Sequence, residues 1–122
     1  MSKKLLYVDD NIDMLDLITR LLEEAGYTAA TAQNVDEALR MSKGTVFDVM
    51  VFDVSIAGES GVMLADFMLH HQKGVPVILY SAGEREQANV GKLLALRASQ
   101  FVQKCNGLEL VAAVQQLCPL GG

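Results

Sequence analysis

The fold is decided by the stretch LLYVDD at residues 5–10, in which an apolar run ends abruptly in two carboxylates. The same pattern recurs at residues 49–53, where VMVF is followed by Asp53. Short apolar runs without polar alternation are typical of parallel strands that helices cover on both faces. We therefore interpret both stretches as buried strands of an α/β sheet, with the aspartates where the strands end.

Outward from these two stretches, apolar runs and helical patterns alternate along the chain, which indicates five consecutive βα units. Asparagines stand at three helix N-caps, and glycine or proline residues follow the helical patterns as stop signals. The strands are predicted at residues 5–8, 28–31, 46–52, 75–80 and 100–103. The helices are predicted between residues 11–26, 34–44, 61–71, 84–96 and 106–117.

Right-handed crossovers place helices on both faces of such a sheet, which predicts a doubly wound five-stranded parallel sheet in the order 2-1-3-4-5. Ligands of open α/β sheets bind beyond the carboxyl ends of the strands, at the switch point between strands one and three. We expect Asp9, Asp10 and Asp53 to meet there with Lys104, which follows strand five. Three carboxylates repel one another, and hard oxygen ligands suit Mg²⁺, with Lys104 as a fixed positive charge.

The composition is that of one globular domain covering residues 1–122. A net charge of -5 argues against broad nucleic-acid binding, which needs a basic face. Two cysteines without a Cys-x-x-Cys pair indicate neither a disulfide scaffold nor a zinc site. No apolar run approaches the length of a signal peptide or a membrane span, so a cytoplasmic protein without a membrane partner is expected.

Five motifs in order resemble the receiver domains of two-component response regulators, in particular single-domain regulators of the chemotaxis type. The resemblance covers nearly the whole chain and implies a flavodoxin-like fold with five helices. Its motifs are YVDDN at residues 7–11, Asp53, Gly61 eight residues later, YSA at residues 80–82, and Phe101 with Lys104.

The resemblance implies a phosphoacceptor that is not an enzyme in the usual sense. Asp53 would attack the phosphorus of a phosphohistidine on a sensor histidine kinase or a histidine phosphotransfer protein. Asp10, Asp53 and the backbone carbonyl of Ser55 would hold Mg²⁺, and Asp9 would act directly or through a bound water.

The resemblance also implies a switch. Lys104 would pair with Asp53 before phosphorylation and with a phosphoryl oxygen afterwards. Ser81 would donate its hydroxyl to another phosphoryl oxygen, and the ring of Phe101 would turn inward as Ser81 moves. The surface of the fourth helix, fifth strand and fifth helix would then engage a downstream protein target or a fused output domain, with no direct contact to nucleic acid.

The chain departs from the family pattern at two positions near the site. Cys105 stands where a proline usually follows the lysine, often through a cis bond, and a non-proline cis bond costs roughly 3 kcal/mol. Ala57 stands where a proline is common four residues after the phosphorylated aspartate. Neither change removes a chemical group from the predicted site.

Other functions are weighed against this one. A phosphorylation-independent interaction module on the same fold is the alternative, with Ala57 and Cys105 as signs of drift. A phosphohydrolase of the haloacid-dehalogenase type needs a second aspartate two residues after its nucleophile, where this chain has Ser55. A flavodoxin-like nucleotide binder ranks last, because the chain has neither a dinucleotide nor a P-loop glycine motif.

Overall fold

The computed structural model describes residues 3–81, 100–104 and 107–120. Five strands form one parallel sheet whose order, β2-β1-β3-β4-β5, is the predicted order 2-1-3-4-5. The doubly wound α/β fold is therefore confirmed. The strands are β1 (Lys4–Val8), β2 (Thr28–Ala32), β3 (Val49–Asp53), β4 (Val77–Ser81) and β5 (Gln100–Gln103).

Four of the five predicted helices lie in the described residues, and three begin at a side chain that caps the first turn. Asn11, Asn34 and Ser60 each accept a hydrogen bond from a backbone N–H three residues further on. The fourth predicted helix, at residues 84–96, and the predicted cap Asn106 lie outside the described residues. The helices are α1 (Ile12–Glu24), α2 (Val35–Gly44), α3 (Gly61–His71) and the C-terminal helix (Gly107–Leu117).

The predicted starts of β3 and β4 were wrong. β3 begins at Val49 rather than at residue 46, because the side chain of Val46 is 76% exposed and lies outside the core. β4 begins at Val77 rather than at residue 75, since Pro76 has no N–H to donate to a neighbouring strand. Both strands end one residue later than predicted, so that Asp53 and Ser81 are themselves the last strand residues.

The core has two halves, one on each face of the sheet. Leu6 and Val8 pack with α2 and α3, whereas Leu5 and Tyr7 pack with α1 and the C-terminal helix. Successive side chains of a strand point to opposite faces, so every central strand must be apolar throughout. The sheet is thereby fixed from both sides, and the side chains at its carboxyl edge have a rigid base.

Helix α3 begins in direct contact with the backbone of Asp53. The N–H of Gly61 donates a 2.7 Å hydrogen bond to the carbonyl of Val54, and a Cβ on Gly61 would overlap the carbonyl oxygen of Asp53. Only glycine leaves room for this approach. Gly61 therefore sets the position of α3 relative to the end of β3.

The replacement Gly61→Ala is expected to lower the free energy of unfolding by about 2 kcal/mol or more, because backbone must move to admit the methyl group. Gly44→Ala is the matched control: its Cβ would meet no atom within 4 Å, at the end of α2. It should raise stability by about 0.5–1 kcal/mol through reduced chain entropy. Urea denaturation of both variants is the measurement, and equal effects of the two substitutions would contradict the packing argument.

The chain between β3 and α3 forms a tight hairpin in which Ser55 pairs with Ser60 and Ile56 with Glu59. Ala57 and Gly58 form its two-residue turn with φ values of 52° and 82°. Two consecutive positive φ angles define a type I′ turn, which proline cannot adopt because its ring holds φ at about -65°. The backbone conformation of Ala57 therefore excludes a proline at this position.

Ala57→Gly is expected to stabilise the protein by roughly 0.5–1 kcal/mol, because glycine adopts positive φ without the steric penalty of a Cβ. Ala57→Pro should destabilise it by more than about 1 kcal/mol. Thermal or urea unfolding of the two variants measures both effects. A stabilising proline would show that the turn has a different geometry.

Candidate functional site

The predicted site residues converge at the carboxyl edge of the sheet. Asp9 and Asp10 follow β1, Asp53 ends β3 and Lys104 follows β5. Backbone hydrogen bonds continue the sheet to these positions: the N–H of Asp9 donates to Ala32 at 3.1 Å, and the N–H of Lys104 donates to Ser81 at 2.7 Å. The side chains are therefore positioned by the sheet itself.

The ammonium group of Lys104 joins two of the carboxylates. Its Nζ lies 2.8 Å from Oδ2 of Asp53 and 3.0 Å from Oδ2 of Asp9. The side chain of Asp9 is fully buried, while those of Asp53 and Lys104 are 15% and 16% exposed. Lys104 thus neutralises carboxylate charge at a site where little water is present. Asp53 is still partly accessible to solvent.

Asp9 is bound by three donors. The hydroxyl of Tyr7 donates to Oδ2 at 2.6 Å, beside Lys104, and the N–H of Asn11 donates to Oδ1 at 3.0 Å. The contact between Tyr7 and Asp9 was not predicted from the sequence. Their spacing could have predicted it, because residues two apart in a strand point to the same face of the sheet.

These contacts move the pKa values of the two aspartates in opposite directions. Burial alone raises the pKa of Asp9, but hydrogen bonds from Tyr7, Asn11 and Lys104 outweigh it and bring the pKa below its ordinary value. Burial raises the pKa of Asp53, repulsion from Asp9 adds to this, and Lys104 offsets it only in part. Lys104 itself has a raised pKa, because its bonds to the two carboxylates outweigh the effect of burial.

Asp9, Asp10 and Asp53 form an acidic cluster in which one oxygen of each lies within 4.8 Å of the others. Asp10 is exposed, in contrast to Asp9. An all-oxygen, partly solvated set of this kind is typical of Mg²⁺, which keeps several of its waters. The predicted ligand Ser55 is next to the cluster, since its N–H donates to Oδ1 of Asp53 at 3.1 Å.

The two predicted switch residues share one face of the sheet. Ser81, 3% exposed, is the last residue of β4, and Phe101 pairs with Leu79 in the neighbouring strand β5. Leu79 and Ser81 are two residues apart, so Ser81 and Phe101 are diagonal neighbours on that face. Phe101 is partly buried against the core half under α2 and α3. The predicted Ala82 and Cys105 lie outside the described residues.

Residues 5–115 match the family described as Response regulator receiver domain. The chain belongs to this family. Its receiver domain is therefore the phosphoacceptor domain of two-component signalling, a regulatory domain rather than an enzyme in the usual sense, and the family implies a histidine kinase as partner.

Curated relatives resemble this receiver domain over nearly its whole length. The transcriptional regulatory protein PrrA of Mycobacterium tuberculosis is 32% identical over 116 residues, which cover 95% of this chain and 50% of that protein. The response regulator GtcR of Aneurinibacillus migulanus is 29% identical over 116 residues, which cover 94% of this chain and 47% of GtcR. The chain thus spans about half the length of these relatives.

Solved structures have the same fold as this receiver domain. The response regulator TrrA of Thermotoga maritima, solved in complex with Mg²⁺-BeF, is 28% identical, with a TM-score of 0.83 and coverage of 94% of this chain and 98% of that one. The chemotaxis response regulator CheY4 of Vibrio cholerae is 24% identical, with a TM-score of 0.82 and coverage of 96% and 99%. The second likeness concerns the fold alone.

In the described residues, no helix is both long and apolar enough to span a lipid bilayer.

Without metal, Asp53→Asn is expected to raise the free energy of unfolding at neutral pH by roughly 1 kcal/mol, a usual size for a single-site effect. The physical reason is that Asp53 has a raised pKa in the folded protein, so its charged form opposes folding. The gain should shrink as pH falls from this raised pKa to the ordinary carboxyl value, below which the side chain is neutral in both states. Urea denaturation in EDTA across this range measures it.

Asp16→Asn, at an exposed position on α1, controls for the loss of one negative charge. It should show no comparable gain. A gain from Asp53→Asn that grows toward acidic pH would contradict the sign of the predicted effect.

Proposed function

We propose that Asp53 takes a phosphoryl group from a phosphohistidine of a sensor histidine kinase or a histidine phosphotransfer protein. The observation that carries this proposal is the bridge of Lys104 between Asp9 and Asp53 within an acidic cluster. A cluster serving only stability would be expensive to maintain, because buried like charges repel. Asp53 also keeps a path to solvent through which a donor can approach.

The transfer conserves atoms and charge in a simple way. A carboxylate oxygen of Asp53 forms a bond to phosphorus, while the bond between phosphorus and the histidine nitrogen breaks. The electron pair of that bond returns to the imidazole, and the product on this chain is an acyl phosphate. Positioning and charge stabilisation, rather than covalent chemistry by other residues, supply most of the rate in such reactions.

Asp10, Asp53 and the backbone carbonyl of Ser55 would hold Mg²⁺, with Asp9 contributing directly or through a water. When bound, Mg²⁺ neutralises negative charge on the carboxylate and the phosphoryl oxygens. The complex of TrrA with Mg²⁺-BeF supports this assignment for a protein of the same family.

Lys104 would transfer its contact from Asp53 to a phosphoryl oxygen, where it acts as a point charge. Ser81, one strand away from Lys104, would donate its hydroxyl to another phosphoryl oxygen. Phe101 would respond to the movement of Ser81, because the two residues are neighbours on one face of the sheet. The surface that includes β5 and the C-terminal helix would carry the signal outward.

The receiver unit is proposed to cover residues 1–122, a little beyond the matched residues 5–115. The curated relatives are about twice as long, which supports a partner that is either a separate protein or a fused output domain. With either kind of partner, this domain itself is proposed to make no direct contact with nucleic acid. Transfer from a kinase that consumes ATP would place the chain in the cytoplasm.

Incubation with acetyl phosphate and Mg²⁺ tests the proposed chemistry. Intact-protein mass spectrometry is expected to show the mass increase of one phosphoryl group, which EDTA prevents and Asp53→Asn abolishes. Lys104→Met should reduce the yield strongly, because removing the ammonium leaves the phosphoryl charge with one donor fewer.

An adduct that persists in Asp53→Asn would contradict the assignment of the nucleophile. Absence of an adduct in the wild type with both acetyl phosphate and a histidine-phosphorylated donor would contradict the proposed function. A partner that binds wild type and Asp53→Ala with equal affinity would instead favour the phosphorylation-independent interaction module.

A further inference from the structure

We propose that Tyr7 is a positioning residue of the magnesium site that acts through Asp9, a role that rests on the proposed function. Its hydroxyl and the ammonium of Lys104 both donate to Oδ2 of Asp9, at 2.6 and 3.0 Å. The N–H of Asn11 donates to Oδ1. A carboxylate oxygen accepts about two hydrogen bonds, so Oδ2 is fully used, whereas Oδ1 retains an acceptor position for the cation or a water bound to it.

The hydrogen bond from Tyr7 has the features of a strong one. Tyr7 is fully buried, and its distance of 2.6 Å to Asp9 lies within the range of about 2.5–2.7 Å for a hydroxyl that donates to a carboxylate. A buried phenol needs such a partner, because an unsatisfied hydroxyl in the core is costly. The position therefore requires more than an aromatic ring of the right size.

Tyr7 is also held in place from the side. Its ring meets that of Tyr80 in an edge contact, with centroids 6.4 Å apart and planes at 64°. Tyr80 in turn lies under Lys104, whose Nζ is 5.4 Å from the ring centroid. Tyr7, Tyr80, Lys104 and Asp9 thus form a closed circuit of contacts beneath the acidic cluster.

The consequence is a carboxylate with a fixed orientation before any cation arrives. Tyr7 binds one oxygen of Asp9 and Asn11 binds the other, so rotation of the carboxylate breaks at least one hydrogen bond. Removing a group that holds a metal-binding side chain by a hydrogen bond typically lowers metal affinity by roughly ten- to a hundredfold. Tyr7 therefore improves Mg²⁺ binding without touching the ion.

Tyr7→Phe tests this role, because it keeps the ring and removes the hydroxyl. The Mg²⁺ dissociation constant, measured by calorimetry or amide NMR without a phosphoryl donor, is expected to rise by about tenfold or more. Hydrogen exchange at the amide of Asn11 should become faster, since its acceptor is no longer held from the other side.

Tyr27→Phe is the matched control. The Tyr27 hydroxyl also donates a buried hydrogen bond, of 2.7 Å to the carbonyl of Cys118, but Tyr27 precedes β2 at the opposite edge of the sheet. This variant should lose stability while its Mg²⁺ affinity stays at the wild-type value. Equal Mg²⁺ affinities of wild type and Tyr7→Phe would overturn the proposal, and so would equal losses in the two tyrosine variants.

The route through Asp9 is tested in a second background. In Asp9→Ala, the additional change Tyr7→Phe should leave Mg²⁺ affinity within about twofold, because the group that Tyr7 positions is gone. A tenfold effect that persists there would overturn the assignment. A wild type that binds Mg²⁺ and accepts a phosphoryl group, with no effect of Tyr7→Phe, overturns only the role of Tyr7; a wild type that does neither overturns the proposed function as well.

Discussion

One ammonium group, that of Lys104, holds the carboxylates of Asp9 and Asp53 together at the edge of the sheet. Two like charges about 4 Å apart repel by roughly 4 kcal/mol at a partly buried site. The single positive charge of Lys104 cannot neutralise the three negative charges of Asp9, Asp10 and Asp53. The sheet nevertheless forces them together, because parallel strands bring their carboxyl ends to one edge. The excess negative charge that remains is what makes the site receptive to a divalent metal.

The scaffold around this cluster is shaped by backbone as much as by side chains. Gly61 lets α3 begin against the backbone of Asp53, and Ser55, in the hairpin whose turn is formed by Ala57 and Gly58, donates its N–H to the same residue. On the other side of the sheet, Tyr7 and Tyr80 support Asp9 and Lys104 from below. Among the described residues, Asp53 therefore has fixed neighbours on these sides, and its side chain keeps 15% of its surface exposed.

Most of this arrangement follows from the sequence. Apolar runs that end in Asp9, Asp10 and Asp53 predict both the strands and the edge where the charges meet, because parallel topology leaves few alternatives. The start of β3 was mispredicted, since Val46 has the apolar character of a strand residue but points to solvent. The positive φ of Ala57 was not predictable either, as alanine rarely adopts it and only the two-residue hairpin requires it.

Lys104 is separated from Asp53 by 51 residues and from Asp9 by 95. Bringing residues this far apart in the chain together costs loop-closure entropy, which the packing of the complete sheet must offset. The site is consequently completed only when the last strand docks on the sheet. An incompletely folded chain has the aspartates but lacks the cation that organises them, so a nascent or misfolded molecule would be silent in a signalling pathway until folding is finished.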